Sequence, residues 1–356
     1  MNIENESEML QPPQEKNIEE SLQEYTRQCE QGEFEIVNIK EVIVDGLAED
    51  ERIGGITAAT DEDQRAAEID VYNFSKSGKN LIARFDRRNQ KIGAIVAICE
   101  PSGDGHYRLI KGAEVLDNCE DPVVNRVYNK DITCIVKTFS DEEGEIHCHE
   151  NIFSSNGDLT KRELLATGPI DEKDIRAQEL DDPNIGLFRR PKEGEYADGQ
   201  IGWQTVEGFD KIQDALDGKI AMKIIKKFAP NEWGGINDSK KLNDGNIFYV
   251  GHMAGFDRDR NDPEAKKLYY GTCGIFDPKT EEIVSWKIIL DEKTIQDLLA
   301  KRVDAKNEEI GSVCYISSIQ SIDEEKGEVA LCVSLQDTKG FEITLKVPIE
   351  ELKKRT

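Results

Sequence analysis

The sequence lacks the features that mark export or membrane insertion. Residues 1–14 are polar and acidic, with no basic region followed by an apolar one, so they do not form a secretory signal. The longest apolar stretch, residues 92–99, is less than half the length of a membrane span. We therefore expect a cytoplasmic protein, although a specialised secretion route would leave no such signal.

Paired-cysteine motifs are also missing. None of the eight cysteines forms a Cys-x-x-Cys pair, and four of them lie among Ile, Val, Ala and Leu. A buried thiol in such a setting behaves as a small hydrophobic group. In a long chain without a signal peptide, this pattern indicates reduced cysteines in the cytosol rather than a disulfide framework.

Motifs for catalysis and cofactor binding are missing as well. There is no Gly-x-Ser-x-Gly elbow, and the Gly-Gly pairs at 54–55 and 234–235 lack the Lys-Ser/Thr of a phosphate-binding loop. We therefore expect no cofactor, and no catalytic residue can be named from a motif. The sequence does not decide whether the protein is an enzyme.

The charge balance excludes two classes of partner. The chain has 46 Lys+Arg against 72 Asp+Glu, a formal net charge of -26. A general nucleic-acid binder needs a surplus of basic residues, and so does a protein that binds anionic membranes. The hydrophobic content of 37% is too high for a fully disordered chain. An acidic surface does suit a basic protein partner.

Short hairpins are the most regular feature that is present. In four places, two apolar residues enclose six polar residues that favour turns. The four pairs are Phe85 and Ile92, Phe139 and Ile146, Phe276 and Ile283, and Ile322 and Val329. A fifth hairpin is expected around residues 337–340. The pattern predicts a β-dominated α+β fold of antiparallel, hairpin-rich sheets with a few peripheral helices.

The positions of these hairpins suggest a domain organisation. The interval from Phe85 to Phe139 resembles that from Phe276 to Ile322, as two related β-rich domains would produce. Any antiparallel sheet also generates such hairpins, so duplication is one of two alternatives. The expected segments are an acidic N-terminal helical lead-in over 1–33, a β-rich domain over 34–165, a Pro-rich acidic linker over 166–205, and a central helix with a second β-rich domain over 206–356.

Three stretches have helical periodicity. Apolar residues recur at spacings of three and four over 14–31, from Phe209 to Phe228, and over 291–302. Gly218 interrupts the second of these helices.

A β-propeller is an alternative arrangement of hairpins. It would need further hairpins between Phe139 and Phe276. The sequence shows no convincing ones there, so a propeller is not favoured.

One short motif resembles a metal site. His147 and His149 are two residues apart, so on a strand both imidazoles share a face, and Glu145 lies close by. A zinc ion needs at least three protein ligands. We therefore consider His147, His149 and Glu145 as candidate metal ligands, with an exposed strand face as the alternative.

Two other candidates are weaker. Cys273 could act as a nucleophile if His252 approached it, but a single Cys/His pair needs a lowered thiol pKa. Residues 257–262 place oxygen donors at the first positions of a calcium loop. The rest of the calcium-loop pattern is absent, because Asp262 stands where the pattern requires glycine and Leu268 where it requires a bidentate glutamate. We interpret it as a polar turn.

Two tryptophans complete the candidate residues. Trp203 and Trp233 lie in polar, Gly-rich surroundings, where an aromatic side chain is often a contact residue, with burial as the alternative. From these observations we interpret the chain as a non-enzymatic protein-binding or assembly protein with an acidic surface. The alternative is a metal- or thiol-dependent hydrolase with its site between two domains.

Overall fold

The computed structural model describes residues 16–47, 69–87, 93–191 and 200–354. Strands make up 55% of the structure and helices 11%. This confirms the predicted β-dominated α+β fold. Among the described residues, no helix combines the length and apolar character needed to cross a membrane.

The described strands form five mainly antiparallel sheets of consecutive strands, some of which are joined by short parallel pairings. Strands β1 (Glu35–Glu41) and β2 (Ile43–Asp45) come first along the chain. The first sheet contains β3 (Ile69–Ser77), β4 (Asn80–Arg87), β5 (Ile95–Pro101) and β6 (His106–Leu109), with β2 beside β6 and β7 (Leu116–Asp117) beside β5. The second contains β8 (Cys119–Val127), β9 (Lys130–Ser140), β10 (Ile146–Ser155) and β11 (Glu163–Thr167).

The remaining three sheets repeat this order. The third contains β12 (Lys173–Glu179), β13 (Asn184–Arg190), β14 (Ile201–Glu207) and β15 (Lys223–Lys226). The fourth contains β16 (Trp233–Lys241), β17 (Ile247–Phe256), β18 (Lys267–Asp277) and β19 (Glu282–Leu290). The fifth contains β20 (Ile310–Asp323), β21 (Glu328–Leu335) and β22 (Lys339–Lys346), and β1 adds its fourth strand.

The first strands of the five sheets close a ring. Strand β3 contacts β8, β8 contacts β12, β12 contacts β16, β16 contacts β20, and β20 returns to β3. Five sheets around one axis, each with at least four strands, are a five-bladed β-propeller, and we number the blades 1 to 5 along the chain. Because β1 pairs with β22, the fifth blade contains strands from both ends of the chain and closes the ring.

The hydrophobic core is divided among the blade interfaces. One cluster fills each space between neighbouring blades, for example Phe188 and Trp203 of blade 3 against Tyr249 and Phe276 of blade 4. The largest cluster joins blades 4 and 5 and includes Tyr25 of the first helix. Each blade is therefore stabilised by the burial of apolar surface against the two beside it.

Four helices lie at the periphery of the part of the chain that the structure describes. They are α1 (Ile18–Glu30), α2 (Ile212–Leu216), α3 (Glu292–Leu299) and α4 (Ile349–Leu352). A capping box of Asn17 and Glu20 begins α1, and Asp291 caps α3. The helices predicted near both positions are confirmed, while residues 1–15 of the lead-in lie outside the described part.

The predicted hairpins within the described residues are observed, and in the second of them Phe139 lies opposite His147 rather than Ile146. Phe276 pairs with Ile283, Ile322 pairs with Val329, and the fifth hairpin pairs Val333 with Phe341. Strands β9 and β10 likewise pair across the turn after Phe139. The turn between β4 and β5 includes residues 88–92, which lie outside the described residues.

The middle of the chain differs from the prediction. The expected linker over 166–205 contains β12, β13 and most of β14, whose polar side chains are buried between blades. The expected central helix is only α2 and the 3₁₀ turn before it, because Gly218, with φ +75°, ends it and Lys223–Lys226 pairs with β14. Blade 3 therefore supplies the hairpins whose lack had counted against a propeller.

Candidate functional site

Each innermost strand carries an irregularity at the ring, and β20 carries a second one further along. The pairing register breaks once in β3, β8, β12 and β16 and at a corresponding point in β20. The residues within these breaks include Asn73, Asp121, Asp174, Asn237 and Ser317. The first three have φ values of +44°, +49° and +58°. Because a bulge re-aims a side chain, every blade brings a polar group to the ring.

Hydrogen bonds from this level connect the blades. Asn73 Nδ2 donates to Asp121 Oδ1 over 2.6 Å, and Asn237 Nδ2 donates to the carbonyl of Ile316 over 2.7 Å. Ser317 Oγ donates to the carbonyl of Phe74 over 2.8 Å. The polar ring therefore has a structural role, and it also fixes the geometry of the cavity above it.

A polar cavity of about 370 Å³ lies at one end of the propeller axis. All five blades contribute to its lining. The lining residues are Asn73, Arg84, Glu120, Asp121, Lys173, Lys267, Tyr269, Lys306, Asn307, Glu309, Ile310, Val313, Tyr315 and Asp337. Four of them are basic and four are acidic. The basic residues can contact a negatively charged group of a polar ligand.

Arg84 makes the central hydrogen bonds on one side of the cavity. Its Nη1 donates to Asp121 Oδ1 over 3.0 Å, and its Nη2 donates to Asp86 Oδ2 over 3.0 Å. Its guanidinium carbon lies 4.9 Å from the ring centre of Tyr72. Its Nε is buried and has no hydrogen-bond partner among the described residues, so one donor is left for a ligand.

Asp121 is held as an anion in the cavity. Burial alone would raise the pKa of Asp121, but the Arg84 and Lys173 cations and the Asn73 amide hold it below its usual value. Lys173 Nζ lies 3.4 Å from Glu120 Oε2, and Glu120 and Asp121 raise the pKa of Lys173 against the effect of burial. Lys173 is therefore a permanent positive charge beside Asp121.

A second carboxyl group enters from the turn between β21 and β22. Thr338 N–H donates to the carbonyl of Leu335 over 3.0 Å, and both central residues, Gln336 and Asp337, have positive φ, as in a type I′ turn. Burial raises the pKa of Asp337, while Arg84 and Lys306 oppose the shift. Asp337 therefore accepts a proton more readily than Asp121.

Lys306 is fixed next to these groups. Its Nζ forms a buried ion pair with Asp86 and lies 3.0 Å from the Tyr72 hydroxyl. The Tyr72 hydroxyl also donates to Asp86 Oδ2 over 2.9 Å. Arg84 and Lys306 thus both contact the buried Asp86 carboxylate, which holds the two cations on one side of the cavity.

Aromatic side chains form the opposite wall. Tyr269 and Tyr315 line the cavity, and the His252 ring lies 5.5 and 5.4 Å from their ring centres. Arg190 Nη1 lies 2.9 Å from His252 Nε2 and 3.0 Å from Asp174 Oδ2.

His252 is neutral in this buried cluster. Burial lowers its pKa to about 3, the Asp174 carboxylate opposes the shift, and the Arg190 guanidinium adds to it. Nε2 therefore accepts from Arg190, and Nδ1–H donates to Asn237 Oδ1 over 2.9 Å.

The structure brings only one of the two candidate tryptophans to this site. Trp233 Nε1–H donates to the Tyr269 hydroxyl over 3.3 Å, and its ring packs edge-on against the Tyr269 ring at 5.8 Å. Trp203 is 1% exposed and packs between Phe188 and Phe276. Trp203 is therefore a core residue of the interface between blades 3 and 4.

The candidate metal ligands lie on the hairpin of β9 and β10, and none lines the cavity. Ligand atoms of Asp141, Glu145 and His147 all lie within 4.8 Å of one another. His149 is not part of this group, and its ring lies 5.4 Å from that of Phe139. Burial lowers the pKa of His149, and the Lys137 charge lowers it further.

The thiol and calcium candidates are not supported by geometry. Cys273 lies in the apolar core, where burial raises its pKa, and both ring nitrogens of His252 are occupied by Asn237 and Arg190. In the 257–262 loop, Asp259 Oδ1 accepts from the N–H of Asn261 and Asp262 Oδ1 from that of Glu264. These are turn contacts, as predicted.

Sequence reasoning named none of the cavity-lining residues as functional. They come from separate strands, and only the closed ring brings them together. One available signal was the placing of polar residues inside strand-forming runs, such as Asn73 between Tyr72 and Phe74. Such positions mark bulges, which are frequent next to active sites.

The fold and cavity define a five-bladed β-propeller enclosing a site of basic and carboxylate side chains at one end of its axis. Comparison with family models then gives the family. Residues 63–351 match the model described as "Protein of unknown function (DUF1861)", and the chain belongs to that family. No curated protein matches the sequence.

Three solved structures share the fold. A mannose phosphorylase from Leishmania mexicana (MPT-4), in complex with phosphate ion, has a TM-score of 0.71 and 21% identity, covering 91% of this chain and 92% of that chain. A GDP-Man-dependent mannosyltransferase from the same organism (MPT-1) has a TM-score of 0.73 and 20% identity over 93% and 94%. A hypothetical protein from Leishmania major has a TM-score of 0.67 and 19% identity over 91% and 94%.

These findings contradict the functional interpretation of the sequence. Two of the three proteins that share the fold are named as mannose-processing enzymes, and none as a protein-binding protein. The assignment as a non-enzymatic protein-binding or assembly protein with a basic partner is therefore wrong. It rested on the absence of local motifs, whereas the cavity is assembled from residues far apart in the chain.

Proposed function

We propose that this protein is a glycoside phosphorylase that transfers a mannosyl group to inorganic phosphate. The observation that carries the proposal is that one cavity contains fixed cations together with two carboxyl groups whose pKa values are shifted in opposite directions. The pKa of Asp121 is lowered and that of Asp337 is raised. The similarity in fold to a mannose phosphorylase with bound phosphate supports the choice of sugar and of nucleophile.

The chemistry requires one proton donor and one anion site. A phosphate oxygen attacks the anomeric carbon, the bond between that carbon and the glycosidic oxygen breaks, and a carboxylic acid protonates the departing oxygen. Hydrolases need a second carboxylate to activate water or to attack the sugar. Phosphate is itself the nucleophile, so a cationic pocket takes the place of that second carboxylate.

Lys173 is the best-placed phosphate ligand. It lines the cavity as a permanent cation, and the charges of Arg84 and Lys173 together lower the pKa of Asp121. Behind this wall, the Nε of Arg190 is buried without a hydrogen-bond partner among the described residues. A phosphate dianion bound beside Lys173 accepts charge-assisted hydrogen bonds, and it neutralises the positive charge of Lys173 at the same time.

This neutralisation makes Asp121 the proton donor. When phosphate cancels the charge of Lys173, the cation that favours the anionic form of Asp121 is offset, and the pKa of Asp121 rises. Protonated Asp121 is then available only when the nucleophile is bound. Asp337 and Asn73, which line the same cavity, are suited to bind sugar hydroxyl groups.

The test is phosphate-dependent release of mannose 1-phosphate. Purified protein is incubated with mannose-containing oligosaccharides, with and without inorganic phosphate, and the products are followed by ³¹P NMR. We expect mannose 1-phosphate only with phosphate, and the reverse reaction from mannose 1-phosphate and an acceptor sugar. Free mannose formed equally with and without phosphate would show a hydrolase and overturn the proposal.

A second candidate is a mannosyltransferase that uses GDP-mannose. The observation that favours it is the number of cations, since Arg84, Lys173, Lys267 and Lys306 line the cavity and a diphosphate needs several. The same assay with GDP-mannose as donor separates the two. Release of GDP together with an elongated sugar, with no phosphorolysis, would favour the transferase.

We also propose that the enzyme works in the cytoplasm. All eight cysteines are free, and seven of them are buried. A reducing compartment is where such thiols persist. Fluorescence microscopy of the tagged protein in its native cells tests this placement.

A further inference from the structure

We propose that Asp141, Glu145 and His147 bind one Zn²⁺ ion, with Asp171 orienting the imidazole. This site is separate from the axial cavity and goes beyond the proposed phosphorylase activity. The three ligand atoms are already within 4.8 Å of one another. Imidazole and carboxylate oxygens are ordinary zinc ligands, and three protein ligands leave a fourth position for water.

The hairpin between β9 and β10 brings the ligands together. Asp141 N–H donates to the carbonyl of Glu145 over 3.0 Å, and Glu145 N–H donates back to Asp141 Oδ1 over 2.7 Å. Gly144, with φ +84°, lets the chain turn between them. One oxygen of Asp141 is thus fixed by the backbone, and the other, Oδ2, lies 3.2 Å from His147 Nε2.

His147 faces a carboxylate at each ring nitrogen. Nδ1 lies 2.9 Å from Asp171 Oδ2, and Nε2 lies 3.2 Å from Asp141 Oδ2. A neutral imidazole has one N–H and satisfies only one of the two. The other nitrogen then needs a cation, which is either a second proton or a metal ion.

Asp171 is suited to the orienting role. Its N–H donates to the carbonyl of Cys148 over 2.6 Å, and its Oδ1 accepts from the N–H of Cys148 over 3.1 Å. The remaining oxygen, Oδ2, faces His147 Nδ1. A carboxylate that accepts Nδ1–H fixes the tautomer in which Nε2 carries the lone pair, as in carboxylate–histidine–zinc triads.

The site would connect blades 2 and 3. The hairpin belongs to blade 2, while Asp171 precedes Lys173, the first residue of β12 in blade 3. A bound ion fixes the hairpin through His147 and, through Asp171, the start of the strand that carries Lys173. We therefore expect zinc to stabilise the fold without taking part in phosphate transfer.

The experiment measures zinc binding directly, without an activity assay. The full-length protein is stripped with chelator and titrated with ZnCl₂ against a chromogenic competitor, and native mass spectrometry gives the stoichiometry. We expect one tight site. The double substitution Asp141→Asn/Glu145→Gln and the single substitution His147→Ala each abolish it, and Asp171→Asn weakens it by roughly 10–100-fold.

Two histidines serve as matched controls. His149 lies on the same strand outside the cluster, and His106 faces a single carboxylate, Asp45, at 3.1 Å. His149→Ala and His106→Ala should bind zinc as the unchanged protein does. The proposal is overturned if the unchanged protein binds no zinc, or if the double variant, shown to be folded by circular dichroism, keeps its affinity. Neither result depends on the proposed phosphorylase activity.

Discussion

Asp121 Oδ1 accepts a hydrogen bond from Arg84 Nη1 over 3.0 Å. The same oxygen accepts from the Asn73 amide over 2.6 Å, so two donors of blade 1 fix the position of this blade 2 carboxylate. The Arg84 and Lys173 cations and the Asn73 amide hold the pKa of Asp121 below its usual value. A group in this state is a poor acid until a bound anion changes the local field, which ties proton donation to phosphate binding.

The substitution Asp121→Asn tests this role. Loss of a general acid should lower kcat/KM by about 10²–10⁴-fold for mannosides with sugar leaving groups. An aryl mannoside whose phenolate leaves without a proton should lose far less. Initial rates on both substrates measure the difference, with Asp323→Asn on an exposed turn as the control. Equal losses on both substrates would contradict the assignment.

The substitution Lys173→Met tests the phosphate site. A charge-assisted hydrogen bond contributes about 1.5–3 kcal/mol, so the KM for phosphate should rise by roughly 10–100-fold. The KM for the sugar should change much less. Steady-state kinetics with varied phosphate give both constants, and Lys219→Met, which removes an exposed lysine, is the control. An unchanged KM for phosphate would place the anion elsewhere.

The sequence predicted the outer strands of the propeller better than its centre. The hairpin that pairs Phe276 with Ile283 has polar turn residues between two strand-forming runs, and this local chemistry identifies it. Blade 3 was not recognised, because strands such as Lys173–Glu179 carry charged residues that are buried by ion pairs. Hydrophobic periodicity does not detect such a strand.

The cavity residues could not be predicted from the sequence for a different reason. Lys173 lowers the pKa of Asp121, yet the two residues lie on the innermost strands of two blades, and only the packing of those blades brings them together. No local spacing rule encodes that contact. The proposed His147 site could be suggested from the sequence because its residues are local, although the structure groups Asp141 rather than His149 with His147 and Glu145.

His252 should make stability depend on pH. Its pKa is about 3 in the folded protein, against about 6.5 in an unfolded chain. The folded state therefore binds fewer protons between these values, and the free energy of unfolding falls as the pH falls. The loss should approach about 1.4 kcal/mol per pH unit.

The substitution His252→Gln removes this dependence. Urea unfolding at about pH 7 and about pH 5 should show a steeper decrease for the unchanged protein than for the variant. Other titrating groups are common to both proteins, so the difference between the two slopes isolates His252. If the free energy of unfolding changed equally with pH in both proteins, His252 would have to be protonated or exposed in the folded state.

The substitution Gly186→Ala tests the packing between blades 3 and 4. A Cβ at Gly186 would lie 1.9 Å from Cη2 of Trp203, whose ring is held between Phe188 and Phe276. The tryptophan has to move, so the free energy of unfolding should fall by about 1–3 kcal/mol. At the control position Gly103, the Cβ would lie 3.5 Å from the nearest atom, of His106, and Gly103→Ala should leave stability nearly unchanged. Chemical denaturation monitored by tryptophan fluorescence compares the two variants. If both behave like the unchanged protein, Trp203 does not fill the interface as described.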